Sequence, residues 1–187
     1  MHVAKEWKQI KQKRKGSFRV FDVDEITYEN PRNGKNVPAF LITCRNWVNV
    51  IATTRSGDVI LIKQFRFGSN RVELEIPGGT IEDGEDPARA ASRELLEETG
   101  FAGDVPECIG QVNPNPALHR HSCYTFWIKN VVKKNDPEFD GQDEYCELIL
   151  EKVSGVKELI KNGTITHALV IDAFFWFFCD PGRRGLE

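Results

Sequence analysis

The sequence predicts an α/β fold in which sheet lies between helices, with a β-hairpin extension at the N-terminus. Three observations predict it. Short runs of alternating or β-branched and aromatic character fill the chain on both sides of position 90. Between them, Ala88 to Thr99 contains no helix breaker. A second apolar run, Ala168 to Cys179, then closes the chain. No internal repeat, low-complexity segment or Gly/Ser-rich linker divides it. The expected organisation is an arm and hairpin over 1–45, a main domain over 46–180 and a disordered tail over 181–187.

Taken in order, residues 1–15 are basic, with Trp7 and Ile10 the bulky apolar residues past Val3, and read as a short arm or first strand. Phe18 to Tyr28 is strand-like, and Asn30 to Lys35 is a turn in which Asn33-Gly34 is the hairpin signal. Val37 to Cys44 returns as the second strand of that hairpin. Val48 to Thr53 and Val59 to Gln64 are further strands, joined at Arg55 to Asp58. Arg71 to Ile76 alternates charged with apolar residues and reads as a half-buried strand. It runs into Pro77-Gly78-Gly79, where the paired glycines allow a tight turn and a close backbone approach.

Asp86 is a good N-cap, and Pro87 at the first helical position gives up no useful donor. Gly100 can adopt the left-handed conformation that ends the helix. At about 100° per residue, Glu94, Glu97 and Glu98 share one arc, while Ala88, Ala91 and Leu95 lie to its side and can anchor the helix on a core. Like charges at such spacing destabilise an isolated helix. Two explanations stand: a bound divalent cation, for which oxygen-preferring Mg²⁺ or Mn²⁺ is suited, or a solvated acidic face with Arg93 pairing Glu97.

Gly79, Glu85, Arg93, Glu94, Leu95, Glu97, Glu98, Gly100 and Phe101 match G-x5-E-x7-R-E-U-x-E-E-x-G-U, where U is a bulky apolar residue. On these residues the chain resembles the Nudix hydrolases, which cleave nucleoside diphosphates linked to another group. The resemblance implies an α/β/α sandwich with a mixed sheet. It also implies two or three Mg²⁺ (or Mn²⁺) ions held by Glu94, Glu97, Glu98 and Glu144, helped by backbone near Gly79. Arg93 and Glu85 are then assigned to holding loop and helix in place.

Likeness to the ADP-ribose and nucleotide-sugar branch extends further. Arg66 looks like an arginine that contacts the substrate; the alternative is a surface arginine paired with Glu73 or Glu75. Glu75 resembles a substrate-orienting acid. Pro116 sits where that branch carries a marker proline, and His119, Arg120 and His121 in the same Pro-rich loop are set to meet a terminal ribose or its phosphate. The polar stretch Lys133 to Gly141, expected to be mobile, precedes a loop whose acid, by the resemblance, ligates metal or takes the proton of the attacking water. Glu144 fits that role, with Asp143 the alternative and Gln142 standing where some relatives have the base. By the same resemblance the N-terminal hairpin implies a homodimer.

The remaining elements are a loop over Gly103 to Pro106, strands over Cys108 to Val112, Ser122 to Asn130 and Leu148 to Glu151, a short helix over Val156 to Asn162 and a closing helix over Thr166 to Phe178. The 187 residues carry 25 basic and 28 acidic side chains, formally −3, and no basic stripe, which disfavours long polynucleotides. Five scattered cysteines without CxxC or Cys/His clustering predict reduced, buried thiols in a cytoplasmic protein, and no zinc site. No signal peptide is expected, and Ala168 to Cys179, interrupted by Asp172, is too short to span a bilayer. The expected activity is hydrolysis of ADP-ribose or a nucleotide sugar such as GDP-mannose. The alternatives are a Nudix hydrolase of triphosphates, dinucleoside polyphosphates or capped RNA, and a non-catalytic module, which the intact box glutamates disfavour.

Overall fold

The computed structural model describes residues 3–138 and 145–180. In chain order the strands before the first helix are β1 (Lys8–Ser17), β2 (Asp22–Glu29), β3 (Asn36–Thr43), β4 (Trp47–Ala52), β5 (Asp58–Arg66), β6 (Arg71–Glu75) and β7 (Gly78–Thr80). Helix α1 (Pro87–Thr99) is followed by β8 (Phe101–Ala102), β9 (Glu107–Val112), β10 (His119–Arg120), β11 (Cys123–Ile128), β12 (Val132–Lys133) and β13 (Cys146–Lys152). A 3-10 turn over Val153–Gly155, α2 (Val156–Lys161) and α3 (Ala168–Cys179) complete the order. The chain forms two compact units, residues 1–45 with 113–122, and residues 46–112 with 123–187.

The first unit is a sheet in the order β1-β2-β3-β10. The strand expected over Phe18 to Tyr28 begins only at Asp22. Phe18 to Phe21 is instead a turn closed by the Phe18 amide donating to the Phe21 carbonyl at 2.9 Å. The basic run of β1 pairs with the acidic run of β2: Arg14 meets Asp22 at 2.6 Å and Asp24 at 2.7 Å, and Lys15 meets Glu25. His119 and Arg120, expected in a loop, form β10 and pair in parallel with Ile42 and Thr43 of β3.

The second unit is layered, because side chains alternate across its strands. From β4, Val48, Val50 and Ala52 join Ile60, Phe126 and Ile128 under α1, against Ala90, Ala91 and Leu95. From the other face, Ile51, Val59, Leu61 and Trp127 pack with Val156 of α2 and Val170, Ala173, Phe174 and Phe177 of α3. Sheet between helices, the expected α/β/α arrangement, is therefore present. One sheet is mixed: β4 runs parallel to β11 and antiparallel to β7, in the order β7-β4-β11-β9. The second sheet runs β13-β5-β6, all antiparallel.

Several local expectations change. Gly78 and Gly79 form no tight turn; both lie in β7, paired with Asn49 and Val48. The start of the polar stretch 133–141 is ordered, with β12 pairing β8 and the Glu138 amide donating to Glu97 O at 2.9 Å. The closing helix begins at Ala168, two residues later than expected. The five cysteines are all reduced, but Cys108 and Cys179 are exposed, because β9 is an edge strand and Cys179 ends α3. Among the described residues, no helix is long and apolar enough to cross a membrane.

Glu73 of β6 receives Arg71 Nε at 2.7 Å and the Thr166 hydroxyl at 3.1 Å. The Arg71 bond above all, then that of Ser69, holds its carboxyl down at about 2, against an ordinary 4.5. A folded-state value below the unfolded one contributes stability above the unfolded value that disappears as pH falls toward the folded one. Between pH 4.5 and about 2, wild-type Tm should therefore fall more steeply than that of E73Q. Parallel Tm profiles for the two proteins would contradict this.

Candidate active site

Helix α1 is framed as its sequence requires. Asp86 is extended and its side chain accepts from the amides of Ala88 at 2.9 Å and Arg89 at 3.3 Å, with Pro87 next. Gly100 stops the helix at φ 71°, and a Cβ there would also strike the Asn135 carbonyl, so glycine is needed on two counts. With Leu95, Ala90 and Ala91 sunk in the core, Glu94, Glu97 and Glu98 are left partly exposed on one stripe.

β7 brings backbone against that stripe. The Gly78 amide donates to Glu98 Oε2 at 2.9 Å. A Cβ on Gly79 would fall within the Glu94 carboxylate, so the chain passes there only as glycine. The sequence reading of a close backbone approach holds, although the conformation is a strand.

Arg93 ties the acids together. It donates to both oxygens of Glu85 at 3.0 Å, to Glu94 Oε1 at 2.9 Å, to Glu97 Oε2 at 3.0 Å and to the Thr80 carbonyl at 3.1 Å. Hydrogen bonding to Glu85, more than any other cause, pushes the guanidinium's pKa further up, and the same bonds hold the Glu85 carboxyl below its ordinary range. The two sequence explanations of the stripe therefore meet in one place. Arg93 does pair Glu97, yet three carboxylates, those of Glu85, Glu94 and Glu97, share this single guanidinium.

Among the described residues, no three acidic, histidine or cysteine side chains stand grouped closely enough to hold an ion, with Arg93 Nη1 bridging Glu94 and Glu97. The donor set nevertheless fits a hard divalent cation. Glu94, Glu97 and Glu98 offer only oxygen, and the cluster's charge is balanced by Arg93 only in part.

Arg66 and Glu75, assigned separate substrate roles from the sequence, are brought together. Arg66 Nε and Nη2 reach the two oxygens of Glu75 at 2.8 Å each, across the β5–β6 hairpin. The pairing weighed as the alternative for Arg66 is thus present, and Arg71 takes Glu73. Glu75 is buried, whereas Arg66 keeps 42% of its side chain exposed and faces solvent.

Pro116, His119 and Arg120 belong to the first unit, where Pro116 and Arg120 are exposed. His121 is buried there, with Nδ1 3.0 Å from Cys44 Sγ, and burial lowers its pKa. Glu144 and Asp143 lie outside the described residues. Sequence reasoning missed Cys146, whose thiol donates to the Glu98 carbonyl at 3.2 Å, and His167 beside Glu75. Both contacts join residues far apart in the chain, and no local pattern signals them.

The site is thus a helix–sheet–helix core that holds Glu94 and Glu98 of α1 against the glycine strand β7, with Glu97 beside them on Arg93. The chain belongs to the Nudix family, whose NUDIX domain model matches residues 45–174, and is by that membership a hydrolase. It is 36% identical over 177 residues to the ADP-sugar pyrophosphatase of Mus musculus, covering 80% of this chain and 75% of that one. It is 30% identical over 152 residues to the ADP-ribose pyrophosphatase of Bacillus subtilis, covering 81% and 82%. A solved structure described as an ADP compounds hydrolase superposes with a TM-score of 0.82 over 94% of each chain at 20% identity, a likeness of fold.

Proposed function

We infer that this protein hydrolyses the pyrophosphate bond of ADP-ribose or a related nucleoside diphosphate sugar, releasing a nucleoside monophosphate and a sugar phosphate. The observation that carries the reading is the carboxylate stripe of α1 held against β7, with Gly78 on Glu98 and Gly79 packed on Glu94. Relatives named for ADP-sugars and ADP-ribose over most of the chain support the substrate class.

Glu94, Glu97 and Glu98, with the backbone at Gly79, would hold Mg²⁺ or Mn²⁺. Such an ion neutralises pyrophosphate oxygens and acidifies a water. Arg93 keeps Glu94 and Glu97 in register, the Gly78 amide holds Glu98, and Glu85 fixes Arg93. Arg66 supplies a planar, partly exposed donor fork for a phosphate, and Glu75 orients that fork from behind. Glu144, or Asp143 beside it, is the residue we assign to take the water's proton. Pro116, His119 and Arg120 are assigned to the sugar end of the substrate.

Within the first unit, Trp7, Ile10, Val20, Val37 and Phe40 are exposed and β1 is an edge strand, which supports residues 1–45 as a dimerisation element. The reduced thiols support a cytoplasmic setting.

A phosphate-release screen over ADP-ribose, other nucleotide sugars and nucleoside triphosphates, with Mg²⁺ and then with EDTA, tests the reading. Turnover of ADP-ribose or a nucleotide sugar that EDTA abolishes is expected. Turnover of triphosphates alone would overturn the substrate class.

A further inference from the structure

We propose that Arg71 is a second phosphate-binding residue, paired with Arg66 to grip both phosphates of a diphosphate ligand. The proposal rests on the reading that Arg66 takes a phosphate of the substrate. Arg66 ends β5 and Arg71 begins β6, and the hairpin register sets them directly opposite each other. Residues so paired project to the same face, with their Cα atoms about 5 Å apart.

Like charges in that position destabilise a hairpin unless something compensates them. Here a carboxylate lies against each guanidinium. Arg66 meets Glu75 through Nε and Nη2 at 2.8 Å each, and Arg71 meets Glu73 through the same two nitrogens at 2.7 and 3.2 Å. The acid side chains are 2% and 8% exposed, whereas those of Arg66 and Arg71 are 42% and 57% exposed. The hairpin thus keeps its negative charge inside and presents its positive charge outward.

A brace for the hairpin would account for the Arg71–Glu73 pair, but it leaves part of the side chain unused. A guanidinium has five N–H groups. Nε of Arg71 spends one on Glu73, and Nη2 spends its two on Glu73 and on the Thr166 hydroxyl at 2.6 Å. Thr166 in turn donates to Glu73 at 3.1 Å, which closes a triangle and fixes the plane of the guanidinium. Among the described residues nothing engages the two N–H groups of Nη1. A planar donor already held in place loses little freedom when it binds an anion.

The chemistry that fits is a pair of linked anions. A diphosphate carries anionic oxygens on two adjacent phosphorus atoms, and one guanidinium fork occupies the oxygens of one. A second fork opposite the first suits the other phosphate, which a monophosphate lacks. Arg71 therefore favours nucleoside diphosphate sugars over the monophosphate product.

The test uses R71Q/E73Q, which removes both charges together and leaves neither buried without its partner. R71K, which keeps a charge for Glu73 but lacks the fork, is the second variant. Calorimetry with Mg²⁺ compares binding of α,β-methylene ADP-ribose and of AMP to these two, to R66Q and to wild type. The analogue should bind about tenfold more weakly to R71Q/E73Q and about threefold more weakly to R71K, with AMP changed by no more than about twofold. R66Q should weaken the analogue as well. Wild-type affinity for the analogue in both Arg71 variants, with R66Q weakened, would overturn the proposal and leave the reading of Arg66 standing. An equal loss for AMP and the analogue would also overturn it, because Arg71 would then act on the shape of the site. An R66Q that binds the analogue as wild type does would remove the reading of Arg66, and the pair with it.

Discussion

E98Q is expected to fold as wild type does and to lose about three orders of magnitude in kcat on ADP-ribose at saturating Mg²⁺. The substitution isolates charge from shape. Glu98 Oε2 accepts the Gly78 amide at 2.9 Å, and the amide oxygen of glutamine can still accept it, so β7 keeps its place beside α1. What disappears is one of the negative charges for which the stripe exists. The same reasoning extends to Glu97, whose side chain is 39% exposed and contributes little to packing. Turnover within a few-fold of wild type, with Tm unchanged, would remove Glu98 from the active site.

R93M carries the largest expected effect on stability. Methionine keeps much of the apolar stem but leaves Glu85, Glu94 and Glu97 facing one another without the guanidinium that bonds all three. Removing one partner of a partly buried charge network costs on the order of 3 kcal/mol, because the remaining charges are left uncompensated. For a chain of this size that corresponds to a fall in Tm of roughly 6–12 °C, read by calorimetry without divalent cation. Adding Mg²⁺ should raise the Tm of R93M more than that of wild type, since a ligand that binds the folded state stabilises it. An unchanged Tm would mean that Arg93 is dispensable to the cluster.

The legible part of the site is the local part. Asp86, Pro87 and Gly100 state where α1 begins and ends, and the spacing of Glu94, Glu97 and Glu98 fixes them on one stripe whatever the helix packs against. Likewise the alternation along β4 and β5 separates two faces, and the structure fills one with α1 and the other with α2 and α3.

What was hidden depends on pairing between distant segments. Gly78 and Gly79 read as a turn because glycine favours turns, and only their register with Asn49 and Val48 makes them a strand. The basic stretch of β1 carries no period-2 apolar pattern; its strand character comes from the acids of β2 opposite. Arg66 could be narrowed to Glu73 or Glu75 from the sequence. The register sets Arg66 opposite Arg71, nearer to Glu73 than to Glu75, and Glu75 is the partner left because Arg71 has already taken Glu73. His167 stands ninety-two positions from Glu75, and no spacing rule connects them.

The most direct test of the account is an anomalous difference map from crystals grown with Mn²⁺ and a non-hydrolysable ADP-ribose analogue. Manganese is expected in contact with carboxylate oxygens of Glu94, Glu97 and Glu98 and with the analogue's pyrophosphate, at about 2.2 Å. Analogue bound in the crystal with no anomalous peak beside α1 would contradict it.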